Sequence, residues 1–361
     1  MAPNVSIKDV AQATGFSIST VSYALRNNPK ISEKTRKLIA KKAKELGYHS
    51  DPAMRQFMSY VRDRREKPIT QALAFLNTSS LPRISDSGIR ATKLLHAMKD
   101  RAEHFGYHLD ELWIGDMGKD ARGLDRILNT RGIHGLVLSS FQQHFKMPEV
   151  NWDRLTAVCF DAAPTNCPMH TVGHSHFRGM RMAIRECMEL GYTRIGLATS
   201  NPDQNIQRDQ WLASYLFEIT HHAELESIPV YEGEEVDPDI CEERWGYRPP
   251  VGTKIMKKAS FLKWVEKHKP QVVLTYDRGS ERWLIDAGYN IPDDIGFALL
   301  DSSSDQSGHI AGVDQLIEDI GRAAINKLVA NIEQNEMGIP QRPDFIRLGG
   351  IWREGETLKQ Q

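Results

Sequence analysis

Apolar positions near the start of the chain recur at the spacing of three short helices. The first is predicted between the N-cap Ser6 and Gly15, and the second covers residues 17–26. The third begins at Ser32 and ends at Gly47. The apolar faces expected to meet in a common core carry Ile7, Val10, Ala11, Val21, Ala24, Leu25, Leu38, Ile39, Ala43 and Leu46. Two short helices joined by a tight glycine turn, with a third that completes the core, predict a helix-turn-helix domain.

From Gln71 onward, short apolar runs alternate with amphipathic stretches. The runs that predict strands are QALAFL, HLDELWIG, HGLVLSS, LTAVCFD, RIGLATS, SIPVYEG, QVVLTY and IGFALLD. The stretch after the first run predicts a helix whose apolar face carries Ala91, Leu94, Leu95, Met98, Ala102 and Phe105. This alternation predicts an α/β fold with parallel sheets covered by helices on both sides, and its length favours two sheets over one.

The composition is that of an ordinary globular protein. Of the 361 residues, 40% are hydrophobic and 26% are charged, which excludes a disordered, collagen-like or coiled-coil chain. No apolar run approaches the roughly 18 residues that cross a membrane, and the start of the chain has no secretory signal. We therefore expect a cytoplasmic protein with no membrane partner. The four cysteines lack CxxC spacing and indicate neither a disulfide framework nor a zinc knuckle.

Charge is divided unevenly along the chain. Residues 1–67 carry 14 Lys and Arg against 6 Asp and Glu, whereas residues 68–361 carry 32 against 41. Clustered cations neutralise phosphates and release counterions, so a basic head on a mildly acidic body indicates a phosphate-binding module. A solvated basic helix face is the alternative explanation of the charge taken alone.

In a helix-turn-helix domain the second helix lies in the major groove of DNA. The residues predicted to face outward from this helix are Ile18, Ser19, Ser22 and Tyr23. The groups suited to phosphate contacts are those of Ser17, Thr20, Ser22, Lys8, Lys34, Arg36 and Lys37. A three-helix bundle with a merely polar face is the alternative, but such a bundle needs no basic bias.

The run SIKDVAQATGFSISTVSYALRNNPKISEKTRKLIAKKAKELGY resembles the DNA-binding domain of the LacI/GalR family of bacterial transcription regulators, which has a lambda-repressor-like fold. The resemblance implies that Ile18, Ser19 and Tyr23 contact bases. Arginine is common in the family where Tyr23 stands, and tyrosine cannot make the bidentate contact of arginine with guanine, so we expect a different operator base there. The DNA-binding residues expected in the head are Ser6, Ser17, Ile18, Ser19, Thr20, Ser22, Tyr23 and Asn27.

Residues 49–68 are rich in charge and poor in apolar residues, which is typical of a linker. The same resemblance implies that this segment is a hinge helix that orders on the operator. Arg55 then lies near DNA, and Phe57 acts as an apolar wedge in the minor groove. Packing of Phe57 against the body is the alternative. The predicted domains are a DNA-binding domain, a hinge and a core for effector binding and dimerisation, at residues 1–48, 49–68 and 69–361.

Ligands of open α/β sheets bind beyond the carboxyl ends of the strands, so polar residues that end apolar runs are candidates for a site. These residues are Asn77, Thr78, Ser139, Ser140, Asp161, Ser200, Tyr276, Asp277 and Asp301. Hydroxyl, amide and carboxylate groups beside an aromatic ring suit a neutral, polyhydroxylated ligand. The alternative is that such Asp and Ser residues only cap the following helices.

The body resembles the periplasmic-binding-protein-like core of the same family, in which two lobes are joined by three crossovers. The stretches RIGLATS, IPDDIGFALLD and GVDQLIEDIGRAAINKL carry this resemblance. The resemblance implies that the effector is held by Asp161, Arg208, Tyr276, Asp277 and Asp301, and the strand-end residues Asn77 and Ser139 complete the expected effector site. Tyr276 stands where asparagine is usual in the family, and His174 and His176 replace a usual acidic start of a helix.

Enzyme and metal chemistry have no motif support. The sequence contains no GxGxxG, GxxxxGK[ST], GxSxG or HExxH motif. The spacing of His170, His174 and His176 lacks a supporting Cys or Glu and does not indicate a metal site. We therefore expect no cofactor, no metal and no catalysis.

Together these features predict a homodimeric transcription regulator that binds operator DNA, acts as a repressor and responds to a sugar or sugar derivative. A solute-binding protein is a second hypothesis, against which the basic head and the lack of an export signal argue. A third is an α/β enzyme in which Asp161, Asp277 and Asp301 serve as acid and base groups.

Overall fold

The computed structural model describes most of the head and of the body. The described residues are 5, 7–25, 28, 30–48, 71–78, 88–114, 122–139, 147, 150–164, 166–200, 206–245, 251–305 and 307–361, with only the backbone for 122, 206–208 and 242–245. The predicted hinge, residues 49–68, lies outside the described residues, so its role stays a prediction.

Three helices form the head: α1 (Ile7–Thr14), α2 (Ile18–Leu25) and α3 (Glu33–Leu46). The buried residues between them are Val10, Ala11, Val21, Ala24, Ile39 and Ala43. All of these lie on the predicted apolar faces, because residues three and four apart share one side of a helix. The three-helix domain predicted from the spacing is therefore confirmed.

Polar side chains and one glycine set the ends of the head helices. The Ser17 hydroxyl accepts a hydrogen bond from the backbone N–H of Thr20 (3.1 Å), and the Ser32 hydroxyl accepts one from that of Thr35 (3.3 Å). At the other end of α3, Gly47 adopts a left-handed conformation with φ of 73°. This conformation lets its N–H reach the last carbonyls of the helix, as is common where helices end.

One predicted core position of the head is wrong. Leu38 was expected to point inward, but it is 53% exposed, whereas its neighbour Ile39 is fully buried. Successive residues on a helix are about 100° apart, so α3 can direct only one of the two into a core as narrow as this one.

The first sheet of the body has six parallel strands in the order β12, β5, β4, β3, β1, β2. Their bounds are Gln71–Asn77 (β1), Tyr107–Trp113 (β2), Gly135–Leu138 (β3), Thr156–Phe160 (β4), His170–His174 (β5) and Phe345–Leu348 (β12). The helices of this lobe are Ile89–His104 (α4), Arg122–Thr130 (α5) and Ile317–Gln334 (α11). We call this sheet and its helices the first lobe.

Both faces of the first sheet are buried. Along β1, Leu73 and Phe75 pack in a core with α4 and α11, while Ala74 and Leu76 pack in a second core with Leu124 of α5. Alternation of side chains along a strand sends neighbours to opposite faces, so a sheet covered on both sides needs a continuous apolar run such as this one. The helix predicted after the first strand is α4, and its apolar face is buried as expected.

The second sheet has five strands in the order β13, β11, β10, β9, β6, parallel except for β13, which pairs antiparallel with β11. Their bounds are Ile195–Ala198 (β6), Val272–Thr275 (β9), Gly296–Leu299 (β10), Ala311–Asp314 (β11) and Ile351–Arg353 (β13). Helices of this second lobe are His176–Glu189 (α6), Ile206–His221 (α7), Pro238–Trp245 (α8), Lys258–His268 (α9) and Gly279–Asp286 (α10). A short hairpin-like pair, Glu234–Glu235 (β7) and Lys254–Ile255 (β8), completes it.

The chain passes between the lobes three times: from β5 to α6, from β11 to α11, and from β12 to β13. Two lobes with three crossovers and parallel sheets are the predicted fold class, which is confirmed. The run SIPVYEG is not a strand, however; within it Tyr231 makes an isolated bridge with Ala198. No helix in the described part of the chain is long and apolar enough to cross a membrane.

Replacing the fully buried Ile39 by alanine should cost the head about 2–5 kcal/mol of stability, because it removes three carbons from a closed core. Ile39→Val should cost about 0.5–1.5 kcal/mol, and Leu38→Ala on the exposed side within about 0.5 kcal/mol. Hydrogen exchange of peptides from residues 7–46, read by mass spectrometry, measures this stability locally. Equal loss of protection in Ile39→Val and Leu38→Ala would contradict the assigned core.

Candidate functional site

The exposed side of α2 carries the residues that were predicted to face DNA. Ile18 is 49% exposed and Tyr23 is 48% exposed, and both lie on a helix whose opposite side buries Val21 and Ala24. Ser17 and Ser19 are exposed as well, and Thr20 and Ser22 are half-buried. Neither side chain belongs to the core formed by the described residues of the head, so this face is available to bind another molecule.

The hydroxyl groups at the start of α2 bond to one another. Ser17 Oγ lies 2.8 Å from Thr20 Oγ1 and 3.4 Å from Ser19 Oγ. A hydroxyl has one donor and two acceptor lone pairs, so each of these groups keeps capacity for a further bond. This end of α2 therefore presents an ordered hydroxyl cluster together with the positive end of the helix dipole, a combination that suits phosphate oxygens.

The two neighbouring helices carry exposed lysines. Lys8 of α1 and Lys34 and Lys37 of α3 are exposed, and Lys37 pairs with Glu33 at 2.6 Å. Four other DNA-contact predictions, at Ser6, Asn27, Arg55 and Phe57, lie outside the described residues.

In the body, the strand-end residues of the two sheets meet where the lobes face each other. Asp161 follows β4 in a left-handed conformation, with φ of 57°. Its backbone carbonyl accepts a hydrogen bond from Arg347 Nη2 (2.8 Å). A Cβ atom at Gly173 of the neighbouring strand would overlap the Asp161 carboxylate, so the glycine makes room for this side chain. Aspartate tolerates the left-handed region better than most residues.

The Asp161 carboxyl is ionised in this setting. Burial opposes its ionisation, but the neighbouring cationic groups of His176, Arg90 and Arg347 favour the carboxylate and hold its pKa below the ordinary value. His176 Nε2 lies 3.8 Å from Asp161 Oδ1. The first lobe thus presents an anionic oxygen acceptor at the end of β4.

The second lobe contributes Asp301, two residues beyond Leu299, the last residue of β10. Its Oδ1 accepts hydrogen bonds from the backbone N–H (3.0 Å) and the hydroxyl (2.5 Å) of Ser303. Its Oδ2 forms an ion pair with Nε of Arg90, a residue of α4 in the first lobe, at 2.9 Å. Arg90 Nη2 also donates to Gln315 Oε1 at 3.3 Å. A carboxylate of one lobe is therefore held by a guanidinium of the other.

Two buried imidazoles lie between these carboxylates. His174 and His176 are 1% and 3% exposed, and their ring centroids are 5.1 Å apart. None of their four ring nitrogens has a hydrogen-bond partner among the described residues. Buried polar nitrogens are nearly always hydrogen-bonded in folded proteins, so the pair indicates a place where a polar ligand or water is bound.

An aromatic wall borders the imidazoles on the side of the second lobe. Trp211 of α7 contacts His176 edge-on (5.1 Å between centroids) and stacks with Tyr276 (5.9 Å, 23° between planes). Tyr276 is 41% exposed, whereas Trp211 is buried. Asp277, by contrast, accepts a hydrogen bond from the N–H of Gly279 at the start of α10 (2.8 Å), as in the helix-capping alternative.

The remaining predicted effector residues divide into two groups. Asn77 is fully buried at the end of β1, and Ser139 after β3 bonds to the hydroxyl (2.7 Å) and N–H (3.0 Å) of Thr78. These three residues lie together at the carboxyl edge of the first sheet, because β1 and β3 are neighbours. The side chain of Arg208 and the whole of Ser140 lie outside the described residues.

Sequence reasoning missed several groups of this cleft. They are Arg90, Trp211, Gln315 and Arg347, together with the burial of His174 and His176 in the cleft. The histidines could have been found, since His174 and His176 stand where an acidic helix start is usual among the sequences that this chain resembles; His174 ends β5 and His176 begins α6. Arg90 and Trp211 lie on amphipathic helices, where a single polar or aromatic residue gives no signal.

Comparison with known proteins supports the interpretation of the head as a helix-turn-helix domain. Residues 6–51 match the family model described as bacterial regulatory proteins, lacI family. The regulator MalR of Streptococcus pneumoniae (strain ATCC BAA-334 / TIGR4) is 46% identical over 55 residues, which are 15% of this chain and 17% of the relative. The repressor PurR of Mannheimia succiniciproducens is 21% identical over 345 residues, 92% of this chain and 93% of the relative.

Solved structures show the same fold over the whole chain. The transcriptional regulator CelR in complex with cellobiose has a TM-score of 0.58 at 18% identity, covering 98% of this chain and all of that one. The lac repressor dimer bound to operator and the anti-inducer ONPF has a TM-score of 0.54 at 17% identity, covering 99% of both chains. At these identities the likeness establishes the fold alone.

The buried His174 predicts a loss of stability in mild acid. Burial lowers its pKa from 6.5 to about 4, helped by nearby His176. The unfolded chain takes up this proton as the pH falls through 6.5 and the folded chain does so only near pH 4, so stability decreases between these values. The loss attributable to His174 is about 2 kcal/mol at pH 5 relative to pH 7.

Urea unfolding of the wild type and of His174→Gln at pH 7 and pH 5 tests this effect. The difference in unfolding free energy between the two pH values should shrink in His174→Gln and stay unchanged in His96→Gln, an exposed histidine of α4. An equal pH dependence in all three proteins would show that His174 is not held neutral by its surroundings.

Proposed function

We propose that this member of the lacI family of bacterial regulatory proteins is a sequence-specific, DNA-binding transcription regulator whose DNA affinity responds to a small ligand between its lobes. The observation that carries the proposal is α2, which presents Ile18, Ser19 and Tyr23 outward from a packed three-helix core. A helix-turn-helix domain of this shape places that helix in the major groove.

The residues of α2 suggest how the groove is read. Ile18 offers an apolar contact to a thymine methyl group, while Ser19 and Tyr23 each offer one hydroxyl to a base edge. Ser17, Thr20 and Ser22 bind phosphate oxygens, and the exposed lysines add charge along the backbone. Tyrosine makes one hydrogen bond where arginine makes two, so the preferred base at that position differs from guanine.

Dimerisation and the hinge belong to the same proposal. Two heads related by two-fold symmetry bind a roughly palindromic operator, with Arg55 and Phe57 of each chain at the minor groove between them. The similar lac repressor is described as a dimer on its operator, which supports this arrangement. The regulator acts in the cytoplasm, and we propose repression because the full-length relative PurR is named a repressor.

The ligand site is the interlobe cleft, and the ligand is a sugar or sugar derivative. Asp161 and Asp301 present carboxylates, His174 and His176 present ring nitrogens without a hydrogen-bond partner among the described residues, and Tyr276 offers an aromatic face. Carboxylates accept several hydroxyl hydrogen bonds, and imidazole nitrogens add further bonding groups, so the set suits a polyol. Asn77, Ser139 and Arg208 complete the proposed lining. The similar regulator CelR is described in complex with cellobiose.

Ligand and DNA influence each other through the separation of the lobes. A ligand that binds one dimer shape more tightly shifts the population toward it, and linkage then requires DNA to change ligand affinity by the same factor. This proposal assigns Asp161, Asp277 and Asp301 to binding and structure and not to acid-base catalysis, in line with relatives that are named as regulators.

Selection from random duplex DNA at several salt concentrations tests the DNA-binding half. The full chain should enrich a two-fold symmetric motif, and Tyr23→Ala should relax one position in each half-site at a cost of about 1–3 kcal/mol. Lys34→Ala should weaken binding to all sequences alike and lower the salt slope by about one. Absence of enrichment at every salt concentration would end the regulator proposal.

A thermal-shift screen of neutral mono- and disaccharides, cellobiose included, tests the ligand half. Asp301→Asn and Arg208→Ala should each abolish the shift caused by a binding sugar, since both remove a proposed ligand contact. Asp100→Asn, an exposed carboxylate of α4 outside the cleft, is the matched control and should leave the shift intact. A full shift in both cleft variants would show that the sugar binds elsewhere.

A further inference from the structure

Arg90 connects the two lobes through a carboxylate that the proposed function gives to the ligand. It lies in the first turn of α4 in the first lobe, and its guanidinium contacts Asp301 (2.9 Å) and Gln315 (3.3 Å). Asp301 follows β10 of the second lobe, and Gln315 directly follows β11. The contact therefore bridges elements that can move apart when the lobes separate.

The guanidinium binds in a receptor formed by two acceptors, Asp301 Oδ2 and Gln315 Oε1. Contacts within the second lobe hold both acceptors in place. Ser303 holds Asp301 Oδ1 with two hydrogen bonds, which leaves Oδ2 directed to Arg90. Gln315 Nε2 donates to the carbonyl of Leu300 (3.1 Å), which fixes its Oε1 as an acceptor. Groups whose positions are already fixed lose little entropy on binding, so the same receptor is well suited to a ligand hydroxyl.

The charges of the cleft show why the receptor is occupied. Asp161 and Asp301 are both less than one-fifth exposed, and a carboxylate that is partly removed from water needs a counter-charge. The Arg90 side chain is 38% exposed, although its Nε is buried, and its guanidinium supplies that charge. An ion pair with one partly exposed partner is weakened by salt.

We propose that Arg90 is an affinity-determining residue of the ligand site: without ligand its guanidinium occupies Asp301 and holds the lobes at one separation. This inference rests on the proposed function only in taking the cleft as the ligand site. A ligand that binds Asp301 must first displace Arg90. The apparent affinity of the ligand is therefore proportional to the fraction of molecules in which the receptor is free of Arg90. The ion pair thereby sets the ligand concentration at which the regulator responds.

The interlobe separation can be measured without ligand or DNA. Spin labels on Glu103→Cys in α4 and Glu266→Cys in α9 report the distance between the lobes by double electron–electron resonance, since both positions are exposed. The native Cys159, Cys167, Cys187 and Cys241 are free and buried, so labelling is selective for the introduced residues.

In this labelled background, Arg90→Met and Asp301→Asn should each broaden and shift the distance distribution, and the double variant should shift it no further. The matched control is Arg101→Met, also on α4, whose guanidinium binds Asn326 of α11 within the first lobe (2.7 Å). This control should retain the wild-type distribution. Raising the salt concentration to about 1 M should move the wild type, but not Arg90→Met, toward the broad distribution.

Two results would overturn the inference. A wild-type distribution in both Arg90→Met and Asp301→Asn would show that other contacts hold the lobes. Additive shifts in the double variant would show that the two residues act separately. Neither result depends on DNA binding. The distance measurements can therefore fail while DNA selection succeeds, and the ion pair can be confirmed in a protein that selects no DNA, so the two failures are distinguishable.

Discussion

The three passages of the chain between the lobes determine where the polar groups of the body can meet. Each passage leaves the carboxyl end of a strand, at His174, Asp314 and Leu348. Strand ends carry backbone groups without ladder partners, so polar side chains are stabilised there and apolar ones are kept within the sheets. As a result, Asp161 of the first lobe and Asp301 of the second lobe face a common cleft.

Within that cleft, pairing is what makes buried charge tolerable. Arg353 Nε donates to Asp314 Oδ2 at 2.6 Å beside the second passage, and Arg347 binds the backbone of Asp161. Removing one partner of such a pair is costly, because the other charge stays out of water. His174 is tolerated in another way: burial keeps it neutral, and neither of its ring nitrogens has a hydrogen-bond partner among the described residues.

Local patterns were enough to predict the head and the sheet-end carboxylates. The apolar spacing of α2 and α3 located the head core, and Asp161 and Asp301 follow apolar runs that read as strands. β5 and β11 were missed because HTVGH and AGVD mix polar residues and glycine, and are strands only because neighbours on the sheet cover them. The contact of Arg90 with Asp301 joins residues distant in sequence, so no local pattern contains it. The prediction that Leu38 is buried was wrong because helical periodicity cannot choose between two adjacent apolar residues.

The position of the Asp161 side chain restricts which residue can stand at position 173. The Asp161 carboxylate occupies the volume that a side chain at position 173 would fill, so the residues at positions 161 and 173 cannot change independently. The Cβ of an alanine at position 173 would collide with the Asp161 carboxylate and displace it. If Asp161 binds the ligand as proposed, a homologue with a larger residue at this position must bind its ligand through other groups, so position 173 distinguishes chains by how they recognise their ligands.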